Sequence, residues 1–246
     1  MRAKGFRRVC AVGCITLLAA CGGSSAKTTS TVGGSSTPSS SSPAASPSAT
    51  PASQAQLQKI VLQPGDLPAG WKGTPYKPDP TAAAYDAALA RCVGARNTDP
   101  DKIAEAHSED FDLGDASISS SASSYPSQSD LDVDIAILNS PKISACYSHL
   151  FSKLLTASLP AGAKVDSTSI KITPGAAGGP ANVVATGKGL IRVSANGQRL
   201  AFYVTVAFIT GPLIEAEVDT FNVRAPLPAS VVKSLVATVA NRAAEG

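Results

Sequence analysis

The chain has 246 residues, with Lys+Arg 21 against Asp+Glu 18, five Cys, two His and one Trp. A formal charge of +3 is too weak to mark a nucleic-acid binder, and six Phe and five Tyr leave little surface for stacking bases. Two His with no close His/Cys cluster argue against a zinc site. The charge is also unevenly placed. Residues 1–20 hold Arg2, Lys4, Arg7 and Arg8 and no acid, so 17 basic residues face 18 acidic ones in the rest of the chain.

Met1–Arg8 reads as a positive n-region and Val9–Ala20 as an apolar h-region. That run is too short for a bilayer-spanning helix, which needs about 20 apolar residues. It has the form of a secretory signal. It ends in Leu18-Ala19-Ala20-Cys21-Gly22-Gly23. This resembles a bacterial lipobox, and the resemblance implies cleavage before Cys21 and a diacylglyceryl thioether on its sulfur. Two or three acyl chains anchor stably where one binds only marginally. Cys21 is thus the expected lipid attachment, and the membrane the first expected partner. Cys10 and Cys14 fall in the removed peptide.

Residues 21–56 follow as lipidated Cys and linker. From Gly22 to Gln56 the chain is almost all Ser, Thr, Pro, Gly and Ala, with Lys27 its one charge. Such a composition cannot bury enough apolar surface to offset its ordering entropy, so a disordered stalk is expected. About 35 flexible residues reach roughly 30–35 Å. Residues 57–246 then suit one domain.

Leu62–Trp71 is turn-rich, with Trp71 plugging a core edge. Asp79-Pro80 reads as N-cap and first-turn proline of a helix carrying Ala82, Tyr85, Leu89, Cys92 and Val93. Asp99-Pro100 repeats the signal, for a short helix to about His107. Ala116–Tyr125 reads as a Ser-rich edge strand. Leu131–Leu138 alternates, which predicts a half-buried strand with Asp132 and Asp134 on its polar face. From Pro141 a helix carries Ile143, Cys146, Leu150 and Leu154, and Val165–Thr173 follows as a strand.

Asn196-Gly197 is a two-residue hairpin signal that pairs Val193 with Leu200 and Ile191 with Phe202. For the next turn, a three-residue loop Thr210–Pro212 pairs Phe208 with Ile214 and keeps Glu215 and Glu217 off the apolar face. Pro228 starts a terminal helix with Val231, Val232, Leu235 and Val239 inward. The expected fold is α+β, an antiparallel sheet of about five strands with helices packed on it.

Cys92 and Cys146 are the cysteines left in the domain, and an exported chain favours their pairing. Glu215, Glu217 and Asp219 share one strand face. Beside Asp132 and Asp134 they would make an acidic strip able to hold a cation, or a solvated face paired with Lys188, Arg192 or Arg199. His107 and His149 neighbour no recognisable nucleophile motif. G-x-S-x-G, S-x-x-K and H-E-x-x-H are all missing, and Gly187-Lys188-Gly189 is not a phosphate loop. No catalytic residue, metal or cofactor is therefore expected.

With the lipobox, the stalk and an Ala/Val-rich domain in view, the chain resembles actinobacterial, mycobacterial-type cell-envelope lipoproteins. The Asp66–Trp71 opening, Cys92, Cys146 and the Val204–Ala240 ending are similar to small secreted domains of that group, loosely of PsbP/Mog1-like fold. The resemblance implies an extracytoplasmic, lipid-anchored, non-enzymatic binding or accessory domain for an envelope lipid, glycan or protein, with no nucleic-acid partner. Two alternatives are an envelope hydrolase with a dispersed site around His107 or His149, and a sensing or scaffold module acting through the acidic face.

Overall fold

The computed structural model describes residues 49–175, 180 and 182–246; Cys21 and the segment read as a secretory signal lie outside them. Helix α1 (Gln54–Ile60) opens on a capping box. Ser53 accepts from the Gln56 amide, and the Gln56 side chain accepts from the Ser53 amide. Ala52, Leu57 and Ile60 are all buried, so core packing begins inside the segment that composition assigns to the linker. A 3-10 turn at Pro64–Asp66 leads to the short strand β1 (Lys72–Thr74) and helix α2 (Ala82–Val93). Asp79 caps from outside α2, accepting from the amide and hydroxyl of Thr81, so the helix starts two turn residues later than Asp79-Pro80 suggests.

The Asp99-Pro100 signal yields one 3-10 turn, Asp99–Asp101, and then strand β2 (Ala104–His107) in place of the expected helix. Pairing decides it. Ala104 to His107 lie opposite Ser124 to Ser121 on β4 (Ala116–Ser124), and these ladder bonds outweigh a short helix's own. Strand β3 (Asp110–Leu113) continues along β4 after a break where the Ser108 hydroxyl accepts from the Ser120 amide.

Leu131–Leu138 is a second correction: it belongs to helix α3 (Gln128–Leu138), not to a strand. Ser127 caps it, accepting from the Asp130 amide. Leu131, Ile137 and Leu138 are buried while Val133 and Ile135 are half-buried, so apolar residues encircle the helix and imitate alternation. Helix α4 (Ile143–Ser158) follows, then strands β5 (Ala163–Pro174), β6 (Val183–Ala195), β7 (Gln198–Gly211) and β8 (Ile214–Val223), and helix α5 (Ala229–Glu245).

Among the described residues the fold is α+β, with eight antiparallel strands in place of about five, in the order β1-β3-β4-β8-β7-β6-β5 with β2 also on β4. The Ser-rich β4 is central, not an edge: β8 flanks one side, and β2 and β3 share the other. The edge at β5 is covered by α4. Ser148 Oγ accepts from the Ile170 amide and donates to the Ile170 carbonyl, and Ser144 Oγ does the same for Ile172. Side chains thereby satisfy backbone groups that an open edge would expose.

Both faces of the sheet are covered. On one, Ile118, Ala122, Ile209, Ile214, Ala216 and Val218 pack against α1 and α5. On the other, Ile170, Ile172, Val206 and Phe208 pack beneath α2, α3 and α4. Gly187 and Gly211 permit close approaches. A Cβ on Gly187 would meet Val206 Cγ1 at 2.4 Å, and one on Gly211 would meet the Ala243 carbonyl oxygen at 1.9 Å. Arg242 of α5 grips Asp66 through two bonds, Nη1 to Oδ2 at 2.8 Å and Nη2 to Oδ1 at 2.7 Å. Burial raises the Asp66 carboxyl, but the Arg242 bonds, the Gln63 amide and the Arg242 charge outweigh it and leave it below its ordinary value.

Candidate functional site

The β6–β7 hairpin keeps its expected register, with Val193 opposite Leu200 and Ile191 opposite Phe202. The β7–β8 hairpin does not. Its turn is Pro212-Leu213, with Leu213 at φ 58°, and it pairs Gly211 with Ile214, Phe208 with Glu217 and Val206 with Asp219. The three-residue loop that would keep acids off this face is therefore corrected. The reason is the second apolar face. Ile214, Ala216 and Val218 fill the core under α1 and α5 beside Ile209 and Ala207, and this fixes the parity of β8. Glu215, Glu217 and Asp219 must then point under α2 and α3.

There they line a cavity of about 130 Å³. β4 makes room for them, since Ser119, Ser121 and Ser123 lie opposite Asp219, Glu217 and Glu215. Helix α2 supplies Tyr85, Asp86 and Leu89, the following turn supplies Thr98, Asp99 and Lys102, and α3 supplies Asp134 and Ile137. Helix α4 adds Tyr147 and Phe151. Tyr85 and Tyr147 meet edge-on, ring centroids 6.0 Å apart. A smaller cavity of about 40 Å³ continues under β2, lined by Lys102, Glu105, Ser121, Ser123, Glu215 and Glu217.

Helices α2 and α4, which both contribute to the lining, are joined by the Cys92–Cys146 disulfide, with Cα atoms 5.8 Å apart. In the chain-entropy model a sequence separation of 54 corresponds to about 4 kcal/mol. The pairing expected from an exported chain is present, and it holds the two helices that carry Tyr85, Asp86, Tyr147 and Phe151.

The electrostatics of the cavity follow from burial. Asp86 is pushed up to about 8, chiefly by desolvation, with Lys102 opposing and Asp99, Asp134 and Glu105 reinforcing. Asp219 is raised to about 7 by burial, and a hydrogen bond with Glu217 pulls it partly back. Burial and its acidic neighbours push Glu217 well above the carboxylate range. Glu215 is raised in the same way, by burial and by Asp134. Asp134 goes the other way. Burial raises it, but hydrogen bonds from Glu215, Thr98 and Tyr125 and the charge of Lys102 bring it below its ordinary value.

The geometry agrees. The Tyr125 hydroxyl donates to Asp134 Oδ2 at 2.8 Å and lies 3.1 Å from Glu215 Oε2, and Thr98 donates to Asp134 Oδ1 at 2.7 Å. Asp134 is thus the charged acid of the pair and Glu215 the proton carrier, a division that two adjacent carboxylates require. Lys102 supplies the positive charge. Its Nζ lies 2.8 Å from Asp99 Oδ1, and the surrounding acids hold its pKa above the ordinary value despite burial.

The acidic strip read from sequence is therefore assembled in part and by a different route. Glu215, Glu217, Asp219 and Asp134 come together, but Asp134 arrives on a helix, and Asp132 points to solvent and accepts from Gln128. The neighbouring cation is Lys102, from the turn read as a helix, rather than Lys188, Arg192 or Arg199. Sequence reasoning missed Tyr85, Asp86, Asp99, Lys102 and Tyr125. The one available signal was Asp86 on the otherwise apolar stripe of an Ala-rich helix.

The histidines are elsewhere. His149 is exposed on α4. His107 stacks on Tyr76, centroids 4.0 Å apart and rings 7° from parallel, with Nε2 3.1 Å from Glu105 Oε1. Neither lines the larger cavity. Among the described residues no group of three or more His, Cys, Asp or Glu is arranged to hold a metal ion, and no helix is long and apolar enough to cross a membrane. Comparison with protein-family models, with curated proteins and with solved structures returns no match.

Proposed function

We propose that this chain is a lipid-anchored lipoprotein of the cell envelope, held by Cys21 at the outer face of the membrane, whose α+β domain is a non-enzymatic binding or accessory module. The cavity of about 130 Å³ between α2, α3, α4 and β8 carries this reading. Its wall joins apolar side chains to a few buried polar ones, as small-ligand sites do. The disulfide between α2 and α4 suits an oxidising, extracytoplasmic compartment. The lipobox-like Leu18–Cys21 and the Ser/Thr/Pro-rich run after it support tethering.

Native mass spectrometry of the full chain purified from its host envelope tests the binding role. The expected spectrum shows a small-molecule increment that denaturation releases. Ligand-free protein that also gains no mass from an envelope extract would exclude it. Anchoring is tested separately with Cys21→Ala, which should shed the chain from membranes. Retention of that variant, with no acyl mass on the wild type, would refute the anchor.

A further inference from the structure

We propose that the cavity receives a primary ammonium group carried on a short apolar stem. The inference rests on the binding role proposed above and names the chemistry of the ligand. Acidity alone would not suffice for it. The second observation is an unsatisfied acceptor inside the wall. Asp99 is 8 % exposed, and while its Oδ1 faces Lys102, its Oδ2 is buried without a hydrogen-bond partner. The Tyr85 hydroxyl is likewise buried and unpartnered. Both residues line the same cavity.

A buried polar atom left without a partner has given up its hydrogen bonds to water for nothing in return, so each such atom marks a place where a donor would be welcome. Carboxylate oxygens only accept, and an ammonium brings three donors on one atom. The charges point the same way. Asp99 and Asp134 lie about Lys102, the one cationic side chain among the lining residues, and Asp86, Glu215, Glu217 and Asp219, which burial holds back from ionising, would ionise more readily beside an arriving cation. An anionic headgroup would meet this excess of acid unfavourably.

The other wall selects against a bare metal ion. Leu89, Ile137, Phe151 and Phe208 offer nothing to a hard cation but cover a hydrocarbon stem. Among the described residues the acids do not converge as a metal-ligand set. The volume sets the size. An apolar cavity of about 150 Å³ accepts benzene, so about 130 Å³ suits an alkyl stem of about four carbons. A free alkylamine and a lysine side chain share that chemistry.

The test is nuclear magnetic resonance titration of the full chain with n-butylamine, with its neutral isostere 1-butanol, and with Nα-acetyl-lysine methylamide. Saturable shifts of the Tyr85 and Tyr147 signals with n-butylamine, at least tenfold weaker with 1-butanol, are expected. Stronger binding of the lysine amide would assign the source to a protein partner; stronger binding of n-butylamine would assign it to a free amine. Asp99→Asn should weaken n-butylamine at least tenfold. The wild-type comparison stands even if that variant fails to fold. Equal binding of 1-butanol would overturn the ammonium inference and leave the cavity's binding role intact. No response of the cavity signals to either amine would overturn it as well, while the mass-spectrometric result decides the binding role by itself.

Discussion

Replacing Asp86 with Asn should flatten the dependence of stability on pH. The carboxyl ionises at about 8 in the folded domain against an ordinary 3.8, because α2 carries it into the cavity beside Asp99, Asp134 and Glu105. Between those two values the folded state binds one more proton at this site than the unfolded chain. Stability therefore falls as pH rises, by about 1.4 kcal/mol per pH unit for one such group. The contribution is fully present below the unfolded value and is lost progressively as pH climbs toward the folded one. By pH 7 the accumulated loss is on the order of 4 kcal/mol. Asn keeps the shape of the side chain and has no proton to lose.

The advantage of Asp86→Asn over the wild type should therefore grow by about that amount between pH 4 and pH 7. Asp219, raised to about 7, keeps a residual slope in the variant. The assay is urea unfolding across this range. It is followed by the fluorescence of Trp71, the single tryptophan, which packs half-buried against the core of α1 and α5. Parallel profiles for variant and wild type would refute the reasoning, since they would mean that Asp86 ionises alike in both states.

Reducing the Cys92–Cys146 bridge, or replacing both residues with Ala, should cost about 4 kcal/mol in urea midpoint experiments. It should also raise hydrogen exchange in α2 before other helices; uniform exchange would refute a local role for the bridge. Gly211→Ala places a methyl group 1.9 Å from the Ala243 carbonyl oxygen, a backbone atom of α5. A loss of about 1–3 kcal/mol is expected in thermal unfolding, and an unchanged midpoint would show that α5 moves aside freely. Arg242→Ala removes both bonds to Asp66 and should return that carboxyl toward its ordinary value. A carbon-13 titration of Asp66 measures this directly, and an unmoved titration would assign the depression to the Gln63 amide.

Elements whose instructions are local were legible in the sequence. The Asn196-Gly197 turn sets its own geometry, and with it the pairing of Val193 with Leu200. Helices α4 and α5 carry enough turns of apolar stripe to be recognised, and Cys92 and Cys146 had only each other within the domain. Other segments depend on what packs against them. Leu131–Leu138 alternates like a strand, yet it is helical, with Ser127 capping its start and Leu131, Ile137 and Leu138 buried. Ala104–His107 is a strand because β4 is there to pair with it.

The acidic face shows most clearly what tertiary structure alone decides. The sequence places Glu215, Glu217 and Asp219 on one side of a strand, because side chains alternate with period two. It does not say that the acidic side is covered as well, nor which face of β7 lies beside the acids, since β7 carries apolar residues at both parities. The choice falls to α1 and α5, which need Ile214, Ala216 and Val218 for their core. The acids are thereby turned under α2 and α3, where Asp86, Asp99 and Lys102 arrive from distant parts of the chain. Composition and the first twenty residues determine the expectations of export, tether and disulfide. The cavity, its proton-carrying acids and its unsatisfied oxygens exist only because two opposed hydrophobic faces compete for one sheet.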